Sequence, residues 1–190
     1  MPTVLLTGFE PFDRAERNSS ADAVAEVART WSREEQLVTA TLPVEFGRAS
    51  EVLAARIAEH SPALVIAVGL ADGRTAITPE LVAINLENAR IPDNAGAQPR
   101  GRAIDPDGPA ARFSALPVRE IVDAIATQSI PARVSLSAGA FVCNSLMYRL
   151  MAGLPEGTMA GFIHVPNERD LSVDDIARGL STAVAVSLER

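Results

Sequence analysis

Ala63-Leu64-Val65-Ile66-Ala67-Val68-Gly69 is an apolar run closed by glycine. A strand with one wet face would place a polar residue at every second position. This run has none, so it reads as a strand covered on both faces, as in a parallel sheet flanked by helices. On its N-terminal side, residues 48–59 predict a helix, and residues 37–44 return to a β-like pattern. Farther back, Ala23, Val24, Val27, Ala28 and Trp31 fall at helical spacing behind Ser19 and Ser20, which can cap that helix. Residues 3–8 form a second buried strand. On the C-terminal side the pattern predicts strands at 81–87, 132–137 and 158–165, and helices at 117–128, after Cys143, and from Val173. Asp174 and Asp175 suit the first turn of that last helix. Strands alternating with helices predict a layered α/β fold on a largely parallel, twisted sheet. Ligand sites in such folds lie beyond the carboxyl ends of the strands. Between Asn88 and Gly108 lies a long stretch rich in Pro, Gly and Asp, the length of a functional or disordered loop.

Composition narrows the function classes. The 190 residues, without repeats or a dividing linker, predict one domain spanning 1–190. A chain this long buries about 70% of its unfolded surface and needs no staple. The single cysteine excludes an internal disulfide and any zinc site built on several cysteines, and the two histidines lie far apart. No metal or other cofactor is expected. The N-terminus lacks a basic leader, and no apolar run approaches the ~18 residues that span a bilayer. A free thiol suits a reducing compartment, so a cytoplasmic protein without membrane partners is expected. The net charge of −7 is spread through the chain, and no basic stripe for nucleic acid is visible.

The lone Cys143 falls where a strand ending in small residues gives way to the helical run Leu146-Met147-Tyr148-Arg149-Leu150. Unpaired amides and positive potential at a helix start favour thiolate over thiol, and can hold an oxyanion. His60 ends a helix, where histidine complements the helix terminus. His164 instead closes the apolar run Gly161-Phe162-Ile163. With a βαβ connection between them, Cys143 and His164 would reach the same rim of the sheet, a nucleophile beside its base. An imidazole base needs an orienting acceptor. Glu80 is a candidate, set against Pro79 at the edge of an apolar strand.

Four stretches carry a resemblance to the pyrrolidone-carboxylate peptidases, the type I pyroglutamyl peptidases. These are Thr7-Gly8-Phe9-Glu10-Pro11-Phe12 with Asn18; Thr78-Pro79-Glu80 running through Asn85 into Ala89-Arg90-Ile91-Pro92-Asp93-Asn94; Gly139-Ala140-Phe141-Val142-Cys143-Asn144; and Gly161-Phe162-Ile163-His164-Val165-Pro166. They come in the family's order and span most of the chain. The resemblance implies an α/β/α sandwich with a mixed sheet, and a cytosolic, metal-independent enzyme that commonly assembles as a homotetramer. It implies a cysteine peptidase that removes an N-terminal pyroglutamyl residue from peptides, with Cys143 as nucleophile, His164 as general base and acid, and Glu80 orienting His164. The family has a glutamine and a glycine where this chain has Leu70 and Asp72. It also has paired glycines where Asp13 and Arg14 stand, and a proline at Ser19.

A pyroglutamyl group is a neutral lactam, so its pocket should have apolar walls and a few groups to pair the ring N–H and C=O. Phe9, Phe12 and Phe141 are expected as walls and Asn18 as a hydrogen-bonding partner. Arg90 is expected to assist the oxyanion or, more in keeping with arginine on loops, to hold the loop. Three other readings stay open on sequence alone: a cysteine hydrolase acting on another small cyclic amide or ester, a binding module that has lost catalysis, and a nucleotide-binding α/β domain. The last lacks a glycine-rich phosphate loop after the first strand.

Overall fold

The computed structural model describes residues 1–189. In chain order the elements are β1 (Thr3–Phe9), α1 (Ser19–Thr30), β2 (Gln36–Leu42), α2 (Arg48–His60), β3 (Leu64–Leu70), β4 (Thr78–Pro79), β5 (Val82–Ile84), β6 (Ala111–Phe113), α3 (Val118–Ala126), α4 (Val142–Ala152), β7 (Met159–Val165) and α5 (Val173–Leu188). Five strands form a mixed sheet in the order β2-β1-β3-β7-β4, parallel except for β4, which runs antiparallel to β7. β5 and β6 form a separate antiparallel pair.

Alternation along the central strands divides the core in two. Val4 and Leu6 of β1, with Leu64, Ile66 and Val68 of β3, pack against α1, α3 and α5 through Val24, Val27, Ile121, Ile125, Leu180 and Val184. Leu5, Phe9, Val65 and Ala67 face the other way, against α2 and α4 through Leu53, Leu146, Met147 and Leu150. The result is the expected α/β/α sandwich, and it explains why the run 63–69 is apolar at every position. No helix is long and apolar enough to cross a membrane among the described residues.

Where the chain leaves β1 it is held tightly to α1. A Cβ on Gly8 would lie 2.6 Å from the Cα of Ala21, so only glycine lets the strand end approach the helix start this closely. Phe9 N–H donates to Ser20 Oγ at 3.0 Å. The cap of α1 is Asn18, not Ser19 or Ser20. Its Oδ1 accepts from Ser20 N–H, while both serines are already helical.

Three other expectations are corrected. The segment 132–137 is not a strand of the main sheet. It pairs in short parallel bridges with the outer edge of β4, Ile77 with Ala132 and Glu80 with Ser135. Because β4 is only two residues long, the ladder ends at once. This segment therefore runs antiparallel to β7, and the parallel βαβ unit invoked for Cys143 and His164 does not exist. The 81–87 strand shortens to β5, whose partner β6 lies beyond the long loop. That loop is not slack. Asp93, almost fully buried, accepts from Phe46, Ala95 and Ala97 N–H, and Glu87 N–H and C=O pair with Arg102. The buried Glu87 carboxylate binds the Arg102 guanidinium and, at 2.7 Å, the Ser145 hydroxyl of α4.

Candidate active site

Two adjacent strand ends set the site. In the β3–β7 register Gly69 lies opposite His164, and one step earlier on the same face Ala67 lies opposite Phe162. α4 begins above this face. Cys143 is its second residue, and the thiol sits directly over Gly69: a Cβ there would fall 2.9 Å from Sγ and 2.8 Å from Phe162 Cζ. The Phe162 ring is also 4.8 Å from the imidazole of His164, centroid to centroid. Thiol, phenyl ring and imidazole thus share one small patch at the carboxyl ends of β3 and β7. The βαβ premise fails, yet the thiol lies over Gly69 and His164 is that glycine's cross-strand neighbour. The chain turns back after Ser135 through Gly139, at φ +80°, and delivers the start of α4 over the glycine.

His164 is almost wholly buried, and its Nδ1 is 2.7 Å from Oε1 of the fully buried Glu80. Next to an ionised carboxylate, Nδ1 carries the proton and Nε2 is left as the basic nitrogen. Glu80 is placed by backbone on two sides. Its N–H donates to Phe162 C=O, and the next residue's N–H donates to Ser135 C=O. Burial pushes its pKa up, but the hydrogen bond and charge of His164, with Ser135 and Arg74, outweigh this and hold it below the usual glutamate value. Arg74, which closes the family-like stretch after β3 and was given no role from sequence, gives Nη1 to the same Oε1 at 2.7 Å.

The electrostatics correct one expectation. Burial, reinforced by the Glu80 charge, pushes the Cys143 thiol up to about 12, against the opposing pull of Arg74. The helix-start potential does not win at rest, because losing water costs a thiolate more than a few backbone dipoles return. Burial also lowers the pKa of His164, partly offset by Glu80. The resting pair is therefore neutral thiol and neutral imidazole. No side chain caps α4 at Phe141, so no side-chain acceptor occupies the first-turn amides beside the thiol. Those amides can receive an oxyanion.

The expected pocket residues divide. Phe12 and Phe141 are half-buried with ring centroids 6.4 Å apart, and Phe46, not anticipated, meets Phe141 edge-on at 5.3 Å. Hydrogen bonds tie their loops together: Glu10 Oε1 accepts from Val44 N–H and from Asn94 Nδ2, and Asp93 from Phe46 N–H. Phe9 instead is core, 2% exposed, and packs on the inner side of Phe162. Asn18 is buried, with Oδ1 accepting from Ser20 N–H and Oγ–H and Nδ2 donating to Glu10 C=O. Its carboxamide holds the loop that carries Phe12 rather than waiting for a ligand. Arg90 is exposed on the long loop, where its C=O accepts from Gln98 Nε2. No hydrogen bond or ion pair links its side chain to Cys143 or His164 among the described residues. His60 sits at the end of α2 beside Glu59, as expected.

Leu70 follows Gly69, so strand alternation turns it from the thiol's face. Asp72 pairs with Arg169 at the surface. Among the described residues no group of three or more His, Cys, Asp or Glu side chains could hold a metal ion. A groove of about 1290 Å³ lies elsewhere, between α2, α4 and Met1–Thr3, and contains none of the groups above.

The pyroglutamyl peptidase family model matches residues 2–189. The pyrrolidone-carboxylate peptidase of Clavibacter michiganensis subsp. michiganensis is 43% identical over 99% of this chain and 93% of its own. That of Bacillus subtilis is 45% identical over 94% and 84%. Among solved structures, pyroglutamyl peptidase I of Bacillus amyloliquefaciens superposes with a TM-score of 0.94 at 40% identity, covering 100% of this chain and 98% of that one. The pyrrolidone carboxyl peptidase of Thermococcus litoralis gives 0.93 at 35% identity, covering 100% and 94%. With a partly buried Cys143 and a buried His164–Glu80 pair already in place at the sheet's edge, these likenesses run the length of the fold, and the chain belongs to the pyroglutamyl peptidase family of cysteine peptidases.

Proposed function

We propose that this protein hydrolyses the N-terminal pyroglutamyl residue from peptides through a thioester on Cys143. The observation that carries the reading is the thiol seated over Gly69, whose cross-strand neighbour is His164, itself bonded to Glu80. Because thiol and imidazole are both neutral at rest, the proton moves as the bond forms. Sγ attacks the pyroglutamyl carbonyl carbon while the S–H proton passes to His164 Nε2. The carbonyl oxygen becomes an oxyanion facing the first-turn amides of α4, where one well-aimed donor is worth about 3–4 kcal/mol. Glu80 stabilises the imidazolium. The C–N bond then breaks, and the imidazolium gives its proton to the departing peptide amine. Water attacks the thioester, His164 takes its proton, and pyroglutamate leaves as the sulfur recovers a proton.

Phe12, Phe46 and Phe141 supply apolar walls suited to a lactam that lacks a charged amine. Arg90, on the loop tied to this cluster through Asp93 and Asn94, serves to hold that loop. The chain works as one catalytic domain. The family resemblance supports a cytoplasmic homotetramer without cofactor. Phe113 and Leu136, 66% and 70% exposed, support assembly, since both flank Leu81, which bonds Ser135 and Ser114. Light scattering tests this point: a tetramer mass agrees, a monomer mass rejects it. For the activity, native protein should release the chromophore from a pyroglutamyl amide far faster than from prolyl or alanyl amides. Cys143→Ala and His164→Ala should each remove nearly all of this turnover with the fold unchanged. Preference for an unblocked amide would replace the proposed substrate.

A further inference from the structure

We propose that Arg74 is a positioning residue of this site, its guanidinium fastening the Glu80–His164 pair to the strap of chain that leads into Cys143. The residue lies in the connection between β3 and β4, and its side chain is one-quarter exposed while Glu80 is fully buried. One arm of the fork serves the base. Nη1 donates to Glu80 Oε1 at 2.7 Å, the same oxygen that meets His164 Nδ1 at 2.7 Å. Nη1 also donates to Thr78 Oγ1, whose hydroxyl in turn donates to the His164 backbone carbonyl at 3.2 Å. The other arm serves the nucleophile. Nη2 donates to the Ser137 carbonyl at 3.2 Å, and Ser137 Oγ accepts from Gly139 N–H at 3.1 Å, in the turn from which α4 starts. A planar fork can hold two acceptors at fixed separation, which a lysine cannot do.

The same charge tunes the base. Among the described residues, the charged groups acting on His164 are Glu80 from the segment after β4 and Arg74 from the β3–β4 connection, and the same two act on the Cys143 thiol of α4. Glu80 favours imidazolium and Arg74 opposes it. Burial is the main reason His164 rests as a free base, and the Arg74 charge adds to it while leaving Glu80 in place to steady the imidazolium that forms during reaction.

This inference rests on Cys143, His164 and Glu80 being the reacting group and its relay, so Cys143→Ala is assayed alongside: turnover by that variant would refute the relay itself, whatever Arg74 does. The test measures kcat, KM and the pH profile of kcat/KM on a pyroglutamyl amide for Arg74→Met and Arg74→Lys, each alone and with Glu80→Gln, with thermal unfolding to verify folding. Arg74→Met should lower kcat by about 10- to 100-fold with KM within about twofold, the scale of a misplaced catalytic group. Its acid limb should move to higher pH, because the charge opposing imidazolium is gone. In the Glu80→Gln background the same change should cost less than about threefold. Arg74→Lys keeps the charge and loses the fork, so its acid limb should stay near native while kcat falls; it carries the test should Arg74→Met not fold. Native kcat and limb in either folded variant would overturn the inference. So would a loss that is equal in both backgrounds with the limb unmoved, which would make Arg74 a general fold contact.

Discussion

Gly69→Ala adds one methyl group beneath the thiol. The backbone at Gly69 is ordinary extended strand, so alanine meets no conformational penalty there, and a strand interior gains about 0.5–1 kcal/mol from losing glycine's chain entropy. Packing decides the outcome. The new carbon would stand 2.9 Å from Cys143 Sγ and 2.8 Å from Phe162 Cζ, whereas comfortable contact is about 3.5–4.0 Å. By subtraction the thiol must withdraw by roughly 0.6–1.1 Å and the Phe162 ring by roughly 0.7–1.2 Å, which crowds His164. Overpacking of this kind costs about 1–3 kcal/mol of stability. A 1 Å misplacement of a reacting group costs on the order of 10²-fold in rate, or about 2.7 kcal/mol of barrier. The expected result is a folded protein, slightly less stable, with kcat on a pyroglutamyl amide reduced about a hundredfold. Gly157→Ala is the control. Its φ of +79° makes alanine strained, but it lies in the α4–β7 connection with open space around it, so stability should fall by about 1–2 kcal/mol with kcat unchanged. A Gly69→Ala protein with kcat within about twofold of native would refute the placement of the thiol over this glycine.

Glu80→Gln should lower kcat far more than it changes KM, because the imidazole loses its orienting charge. The acid limb of kcat/KM should move to lower pH, since Glu80 is what raises the His164 pKa against burial; a pH–rate profile with an unmoved limb would remove Glu80 from the relay. In the native protein that limb should itself lie below the ordinary histidine value of 6.5. Glu87→Ala should destabilise the protein by about 1–3 kcal/mol in denaturant titration, because it strands a buried Ser145 hydroxyl, while the mostly exposed Arg102 stays solvated. Hydrogen exchange should quicken in the 88–108 loop of that variant; a loss under about 1 kcal/mol would mean the loop is held elsewhere.

The parts legible in the sequence are those whose burial is written in a local pattern. β1, β3 and β7 are apolar at nearly every position because helices cover both faces, and α1, α2, α3 and α5 repeat at helical spacing. Cys143 and His164 stood out because each residue type is rare in this chain and each follows an apolar stretch. What stayed hidden depends on distant partners. β4 has two residues and exists only because β7 and the 132–135 segment flank it. Asn18 outcompetes two serines as a cap because its amide also reaches Glu10. Phe46 carries no local signature, although the scarcity of aromatics could have directed attention to it, and Arg74 was visible only as the end of the family-like stretch that holds Leu70 and Asp72, with nothing local to give it a role. The thiol's raised pKa is the clearest case. A helix start is visible in sequence, but the burial that overrides it is a property of the packed layers.

The most direct measurement is a titration of the native protein with iodoacetamide, scoring label by peptide mass spectrometry and residual turnover of a pyroglutamyl amide on the same samples. With the thiol pushed up to about 12, labelling should be slow at neutral pH and accelerate as pH rises. Turnover should fall in direct proportion to label on Cys143 and reach zero at one label per chain. Fully alkylated Cys143 in a protein that still cleaves the lactam amide would contradict the account.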